Sequence, residues 1–246
     1  MKYAVYDTVV PQDKRQETNE KLLYLIDSGK AGDYGISGDD IYNLYTGDGG
    51  LHGLSRQDYE NYASYSKAKK EIENGQFFTP PVLCHLVTKA LSPPSDAAVA
   101  DLTCGAGAFF NFMPAENNLY GCELDMKAYK VAKYLYPRAN LVNGDIRSYQ
   151  PSIRFDYVVG NPPYNLRWWV EDDEKTLSQL YYCWKAAELL KPFGILAMIV
   201  PAAFLSDDFS DGAYIREMEE RFSFLGHVAL PANAFSFLGV PHPVKI

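Results

Sequence analysis

The sequence predicts an α/β protein, a largely parallel twisted sheet with helices on both faces, preceded by a helical N-terminal region. Three observations carry this expectation. From residue 75 onward, short β-rich runs alternate with longer helical stretches, the order a doubly wound sheet produces. A glycine-bearing turn, Asp101 to Phe109, follows the first of these runs and is expected to open a helix. Acids then close successive runs, and an open parallel sheet gathers its strand ends into one crevice. At 246 residues and 47% hydrophobic content the chain suits one good-sized domain, or one domain with a small appendage.

Residues 1–74 are Tyr-rich, polar and punctuated by glycines. Helices are expected near 12–28 and 55–73, around a loop, DYGISGDDIYNLYTGDGGLHG, whose Gly and Asp density marks turns. We read 1–74 as an N-terminal helical cap and 75–246 as the main domain. Expected strands are Val99–Leu102, Leu119–Glu123, Asn140–Val142, Phe155–Val159, Gly194–Val200 and Leu225–Leu230. Expected helices span 80–91, 126–136, 174–190 and 210–222; the second keeps an apolar face at helical spacing, with its lysines elsewhere. Pro192 and Gly194 punctuate the passage from a long helix to the next strand. Val244-Lys245-Ile246 begins another strand-like run, which fits either a domain truncated at its C-terminus or a very short last strand.

Composition narrows the classes. No apolar run approaches a membrane span, and the first residues lack a signal-peptide pattern, so a cytoplasmic protein is the default. Cys84, Cys104, Cys122 and Cys183 are scattered, as are the four histidines, so reduced buried thiols are expected and no metal site. A net charge of −8 argues against a broad basic face and against strong non-specific nucleic-acid binding by this segment alone; a narrow basic channel, or binding lent by a partner, stays open.

The chemistry concentrates in Asn161-Pro162-Pro163-Tyr164. An aromatic exocyclic amine or an amide nitrogen is a poor nucleophile, because its lone pair is delocalised. Two acceptors aimed at its N–H groups draw the nitrogen toward tetrahedral geometry and free that pair. Asn161 offers a side-chain carbonyl and Pro162 a backbone carbonyl, held in one direction by the diproline. Tyr164 offers a flat face for a ring. The plain alternative is an Asn-Pro turn at a strand end.

Three acids accompany this motif. Asp101 heads Asp101-Leu102-Thr103-Cys104-Gly105-Ala106-Gly107, where Gly105 and Gly107 permit tight turns and close ligand approach. No Lys-Ser/Thr follows, so this is not a phosphate-binding Walker loop. Glu123 lies 22 residues on, where a nucleoside-binding fold places an acid for the ribose hydroxyls. Asp145 ends the third run and could accept from an adenine amino group, with Ile146 against the ring; otherwise it is a turn residue. One donor pocket and one reactive-amine site are thus expected to adjoin.

In order and spacing, Gly75-Gln76-Phe77-Phe78-Thr79-Pro80-Pro81, DLTCGAGAF (101–109), GCELD (121–125), NGDI (143–146) and Asn161-Pro162-Pro163-Tyr164 resemble the S-adenosylmethionine-dependent N6-adenine DNA methyltransferases of restriction–modification systems. The resemblance covers 75 to about 240. It implies a Rossmann-like methyltransferase fold with a seven-stranded sheet. It places Phe78, Thr79 and Pro80 over the methionine end of S-adenosylmethionine and Asp101 near its amino group. Thr103, Gly105, Gly107, Glu123, Leu124, Asp145, Ile146 and Asn161 complete the donor set, and Asn161, Pro162, Pro163 and Tyr164 form the catalytic one. Phe235 matches the aromatic that stacks with Tyr164 on a flipped adenine; Phe237 and a core role are the alternatives. The donor is already activated, so positioning and electrostatics are expected to suffice without a metal.

The family continues with a β-hairpin and a recognition region, and nothing of that size follows Ile246. DNA specificity would then come from 1–74, a further C-terminal region or a recognition subunit. The N-terminal region also resembles methyltransferase segments fused to helicases, which fits a fragment of a longer polypeptide. Methylation of a protein glutamine amide, methylation of RNA adenine, and a non-catalytic donor-binding subunit are the rival readings.

Overall fold

The computed structural model describes residues 15–46, 60–64, 78–113, 116–170, 175–231, 234 and 244–245. Along the chain these form α1 (Arg15–Asp27), α2 (Gly38–Thr46), α3 (Pro81–Leu91), β1 (Val99–Asp101), β2 (Leu119–Glu123), α4 (Met126–Leu135), β3 (Asn140–Asn143) and β4 (Phe155–Gly160). There follow β5 (Arg167–Trp169), β6 (Lys175–Leu177), α5 (Ser178–Leu189), β7 (Leu190–Met198), β8 (Val200–Pro201), α6 (Ala213–Glu219) and β9 (Val244–Lys245).

Five strands make one parallel sheet in the order β3-β2-β1-β4-β7. Winding runs outward through β2 and β3, then returns to β4 on the other side of β1. The carboxyl ends of β1 and β4 therefore flank the switch point, where such sheets open a crevice. Val99 and Ala100 are fully buried and pack in clusters on opposite faces of the sheet, which explains the unbroken apolar character of β1. Helix α4 starts at Asp125, whose carboxylate accepts from the Lys127 and Ala128 amides, a cap worth about 1 kcal/mol. Its buried residues Ala128, Val131, Ala132 and Leu135 form the stripe that the periodicity predicted. Two antiparallel pairs, β5–β6 and β8–β9, lie outside the main sheet.

Several expectations need correction. The N-terminal loop contains a helix, α2. The Ser37 hydroxyl accepts from the Asp40 amide at 3.1 Å and the Ser37 amide donates to the Asp40 carboxylate at 2.9 Å, a reciprocal cap. Ile41, Tyr42 and Tyr45 of α2 are buried in the same cluster as Phe78, Phe110 and Tyr136, and Lys130 of α4 pairs with Asp27 of α1 at 2.7 Å. The glycine turn opens a single 3₁₀ turn, Phe109–Phe112, instead of a longer helix. Pro114 forces the residue before it out of the helical region, and Met113 is extended at φ −82°, ψ 152°.

The fifth parallel strand starts at Leu190, opposite Phe155, and pairing resumes at Ile195 after residues 191–194 bulge out with Phe193 at φ 65°. The helix expected over 174–190 is Ser178–Leu189, because Lys175–Leu177 pairs with β5. The helix expected over 210–222 shortens to Ala213–Glu219 behind a 3₁₀ turn. Leu225–Leu230 forms no ladder strand; Phe224, Leu225 and Val228 are exposed, and only an isolated bridge occurs, at Ala229. Its apolar sequence meets no sheet edge, so the described residues give a five-stranded sheet where the resemblance implied seven. Most of the helix expected at 55–73, and the 74/75 division itself, lie outside the described residues.

Candidate functional site

A cavity of about 570 Å³ opens along the carboxyl edge of β1, β2, β3 and β4. Asp101 ends β1, Glu123 ends β2, Asp145 follows β3 and Asn161 follows β4, and all four line it. A smaller cavity of about 320 Å³ lies at the amino edge, but there Asp156 is already paired with Lys191 at 2.9 Å.

The floor is set by the glycine turn. Glu123 accepts from the Gly105 amide at 2.7 Å and the Asp125 amide at 2.8 Å, tying the end of β2 to that turn. Gly105 has φ 55°, and a Cβ there would meet the Phe78 ring at 3.3 Å, so the bare backbone admits Phe78 to the wall. Thr79, Thr103, Leu124 and Ile146 also line the cavity. Gly107 does not. Its φ is 83°, and a Cβ would lie 2.6 Å from the Tyr136 ring, so its role is to seat α4's last turn. Pro80 likewise stands back from the cavity, as the residue that precedes α3.

Electrostatics distinguish this wall. Asp101 is 2% exposed and Glu123 9%, and neither faces a cationic side chain among the described residues. Burial pushes the Asp101 carboxyl up to about 7, against the Thr103 amide bond at 3.1 Å that favours its charge; Glu123 adds repulsion. Burial also pushes Glu123 up to about 7, opposed by the amides it accepts from. The Thr103 hydroxyl is buried without a hydrogen-bond partner. Asp145 differs. The Arg147 guanidinium grips it through Nε at 2.9 and 3.0 Å and holds it below the usual carboxylate range.

The acceptor side is a loop. Asn161 is half-buried, Pro162 is buried, and the Tyr164 hydroxyl donates to Asn161 Oδ1. The Tyr164 ring, expected to face the site, packs against the core cluster that contains Phe78; neither it nor Pro162 lines the cavity, which Asn161 and Pro163 reach. Sequence reasoning missed what holds this loop. The Ser178 hydroxyl donates to the Pro163 carbonyl at 2.5 Å, and Gln179 makes two bonds to Asn165. Tyr182 donates to the Val159 carbonyl at 2.6 Å and accepts from the Leu102 amide at 3.1 Å, joining the ends of β4 and β1. Gly160 has no side chain because a Cβ there would collide with the Tyr182 hydroxyl and ring. The only local signal was polar residues at the head of an apolar-faced helix.

Trp168 lines the cavity and meets Tyr181 edge-on, whereas Trp169 is exposed with the Lys175 ammonium 3.9 Å from its ring centre. Phe235, Phe237 and the acidic run 171–174 lie outside the described residues. All four cysteines are free and buried, and the described residues contain no cluster of three or more His, Cys, Asp or Glu suited to a metal.

Residues 56–246 match the N-6 DNA methylase family. The chain is similar to type II methyltransferase M.CvrRI of Paramecium bursaria Chlorella virus XZ-6E, 24% identical over 57% of this chain and 40% of that protein. It is also similar to type II methyltransferase M.TthHB8I of Thermus thermophilus, 32% identical over 55% of this chain and 37% of that one. The chain thus spans at most about two-fifths of these relatives' lengths. The fold is that of the methyltransferase subunit of a type I restriction–modification system from Streptococcus thermophilus, with a TM-score of 0.56, 18% identity, and coverage of 100% of this chain and 66% of that one.

Proposed function

The chain belongs to the N-6 DNA methylase family, and from that premise we propose that it transfers a methyl group from S-adenosylmethionine to the N6 amine of adenine in DNA. The observation that carries the reading is the adjacency, on one cavity, of an amine-accepting loop and two buried carboxylates with no cationic side chain beside them among the described residues. The donor fits that cavity. Its volume falls in the range of small-molecule sites, and two buried carboxylates invite a ligand with an ammonium and hydroxyl donors. Asp101 would take the ammonium, and the Thr103 hydroxyl lies beside it in the turn. Glu123, with two backbone bonds already made, keeps lone pairs for ribose hydroxyls. Phe78 and Thr79 cover the methionine end, and Ile146 and Asp145 take the adenine ring.

Bound there, S-adenosylmethionine supplies a methyl group already activated on a sulfonium centre. The protein's part is to present the amine. A base extruded from the duplex enters beside Tyr164, with Phe235 proposed for its other face. Asn161 Oδ1 and the Pro162 carbonyl accept the two amine hydrogens and localise the nitrogen lone pair; the Tyr164 hydroxyl, donating to the same Oδ1, fixes the direction of that acceptor. Preorganised groups of this kind need no rearrangement during the reaction.

Because the chain covers a minority of its curated relatives' length, sequence recognition is assigned to a further region or a partner subunit. No helix among the described residues is long and apolar enough to cross a membrane. Labelled methyl transfer to DNA, RNA and protein, assayed side by side with calorimetry of the donor, tests the reading. Transfer to adenine N6 in DNA is expected. Donor binding with transfer only to a protein amide would replace the substrate, and no donor binding would leave a scaffold.

A further inference from the structure

We propose that Ser178 and Gln179, the first two residues of α5, are positioning residues that hold the Asn161–Tyr164 loop in its amine-accepting conformation by locking Asn165 in a left-handed turn. The inference rests on the functional reading above for what the loop does, but not for how it is held.

Asn165 closes the loop at φ 59°, a left-handed conformation that asparagine adopts more readily than other non-glycine residues, typically with a local hydrogen bond to support it. Asn165 is itself exposed, so packing does not supply that support. Gln179 does. Its Oε1 accepts from the Asn165 backbone amide at 2.9 Å, and its Nε2 donates to Asn165 Oδ1 at 3.0 Å. One side-chain amide thus grips both the backbone and the side chain of one residue. Ser178 reaches either side of that point: its hydroxyl donates to the Pro163 carbonyl at 2.5 Å and its amide to the Leu166 carbonyl at 2.8 Å.

Ser178 and Gln179 are both 0% exposed, and the other buried residues of the helix are Leu180, Tyr182, Cys183, Lys185, Ala186 and Leu189. Two polar side chains in that setting need partners; apart from a 3.2 Å contact between the Ser178 hydroxyl and Gln179 Oε1, those partners are in or beside the loop. One turn further, Tyr182 fixes the loop's other arm through the Val159 carbonyl. Helix α5 is therefore a back-plate fastened to both ends of the loop. The consequence is catalytic because two acceptors work as a pair only when their directions are kept. A misplacement of about 1 Å costs on the order of a hundredfold in rate, whereas donor binding depends on β1, β2 and the glycine turn.

The test combines Gln179→Ala, Asn165→Gly and the double variant. Gln179→Ala is expected to lower kcat by roughly 30- to 100-fold, with donor affinity by calorimetry changed less than about threefold. Amide exchange across 163–166 should accelerate by about tenfold or more, while β1 and β4 keep their protection. Adding Asn165→Gly should recover about tenfold of the lost kcat, because glycine adopts positive φ without a side-chain anchor. Failure of glycine to rescue, or a loss of donor affinity matching the loss of kcat, would overturn the proposal in favour of a packing role. Should Gln179→Ala not fold, Ser178→Ala removes one bond and should lower kcat about three- to tenfold with the same exchange signature. If the wild type methylates nothing, the functional reading fails alone, since amide exchange still decides whether the loop is clamped.

Discussion

The two walls of the crevice solve opposite problems. On the donor side, Asp101 and Glu123 are buried carboxylates with no cation beside them, and the Thr103 hydroxyl lacks a partner. On the acceptor side the loop is held by bonds already made: Asn161 to Tyr164, Pro163 to Ser178, and Asn165 to Gln179. A buried carboxylate without a counter-charge costs stability until a cationic ligand arrives, so it is a device for affinity. A network whose bonds are made in the free protein fixes the direction of the acceptors that meet the amine, so it is a device for rate. Affinity and turnover should therefore separate under mutation.

The strongest way to break this contrast is Asn161→Ala. Loss of one preorganised acceptor should lower kcat by about 10²- to 10³-fold, while donor affinity stays within about threefold. Parallel loss of donor binding would mean that the two walls do not act independently. Next in size is Asp101→Asn, the mirror case. Removing the charge should weaken donor binding by roughly 10- to 100-fold, the worth of a hydrogen bond to a charged group. Yet the free protein should melt no lower than wild type, and higher if desolvation dominates. A lower melting temperature would show that the carboxylate is paid for by a partner in the free state.

Acidity sharpens the same contrast. Asp101 and Glu123 are pushed up to about 7 in the fold, against ordinary values of about 3.9 and 4.3. Between about pH 4 and 7 the folded chain binds protons that the unfolded chain has released. Stability from these groups is therefore full below about pH 4 and is lost as pH rises through about 7. A cationic donor reverses the sign, because it binds the charged carboxylates. Its affinity should climb by up to about tenfold per pH unit for each acid that must ionise, toward about 7, and then level, with coupling between the two acids flattening the slope. Melting curves at pH 5.5 and 8, with and without donor, should show a stabilisation that widens with pH. A constant gap would mean that neither acid titrates with binding.

What was legible in the sequence follows from how local each signal is. An acid ending a β-rich run, two glycines in a turn and a diproline after asparagine are each decided within a few residues, and the sheet assembles them. The cap of α2 was local too, since Ser37 and Asp40 stand at the required spacing, but the surrounding glycines made the segment read as turns. The clamp was not legible. Gln179 and Asn165 are 14 residues apart, and their meeting depends on the register of α5 against β4. Gly107 shows the reverse error: the tight turn expected there is present, but the close neighbour is Tyr136 of the fold and not a ligand. Leu225–Leu230 has strand composition, but composition cannot supply an edge to pair with.

The smallest expected effect concerns Asp145, where the two strategies meet in one residue. It lies on the donor wall, yet unlike Asp101 and Glu123 it already has a cationic partner, the guanidinium two residues on. An adenine amino group must share or displace that partner, so the ion pair sets a modest penalty against the donor. Arg147 is exposed and Asp145 only partly buried, so water screens the pair and keeps the penalty small. Arg147→Ala should therefore tighten donor binding by about two- to fivefold at low salt, and the gain should fade as salt screens the pair in the wild type. Arg147→Ala/Asp145→Asn should lose the gain, because no free carboxylate is left to receive the amine. Weaker binding by Arg147→Ala alone would assign the guanidinium to the ligand instead of to Asp145, and would place an attractive cation on a wall otherwise built from acids.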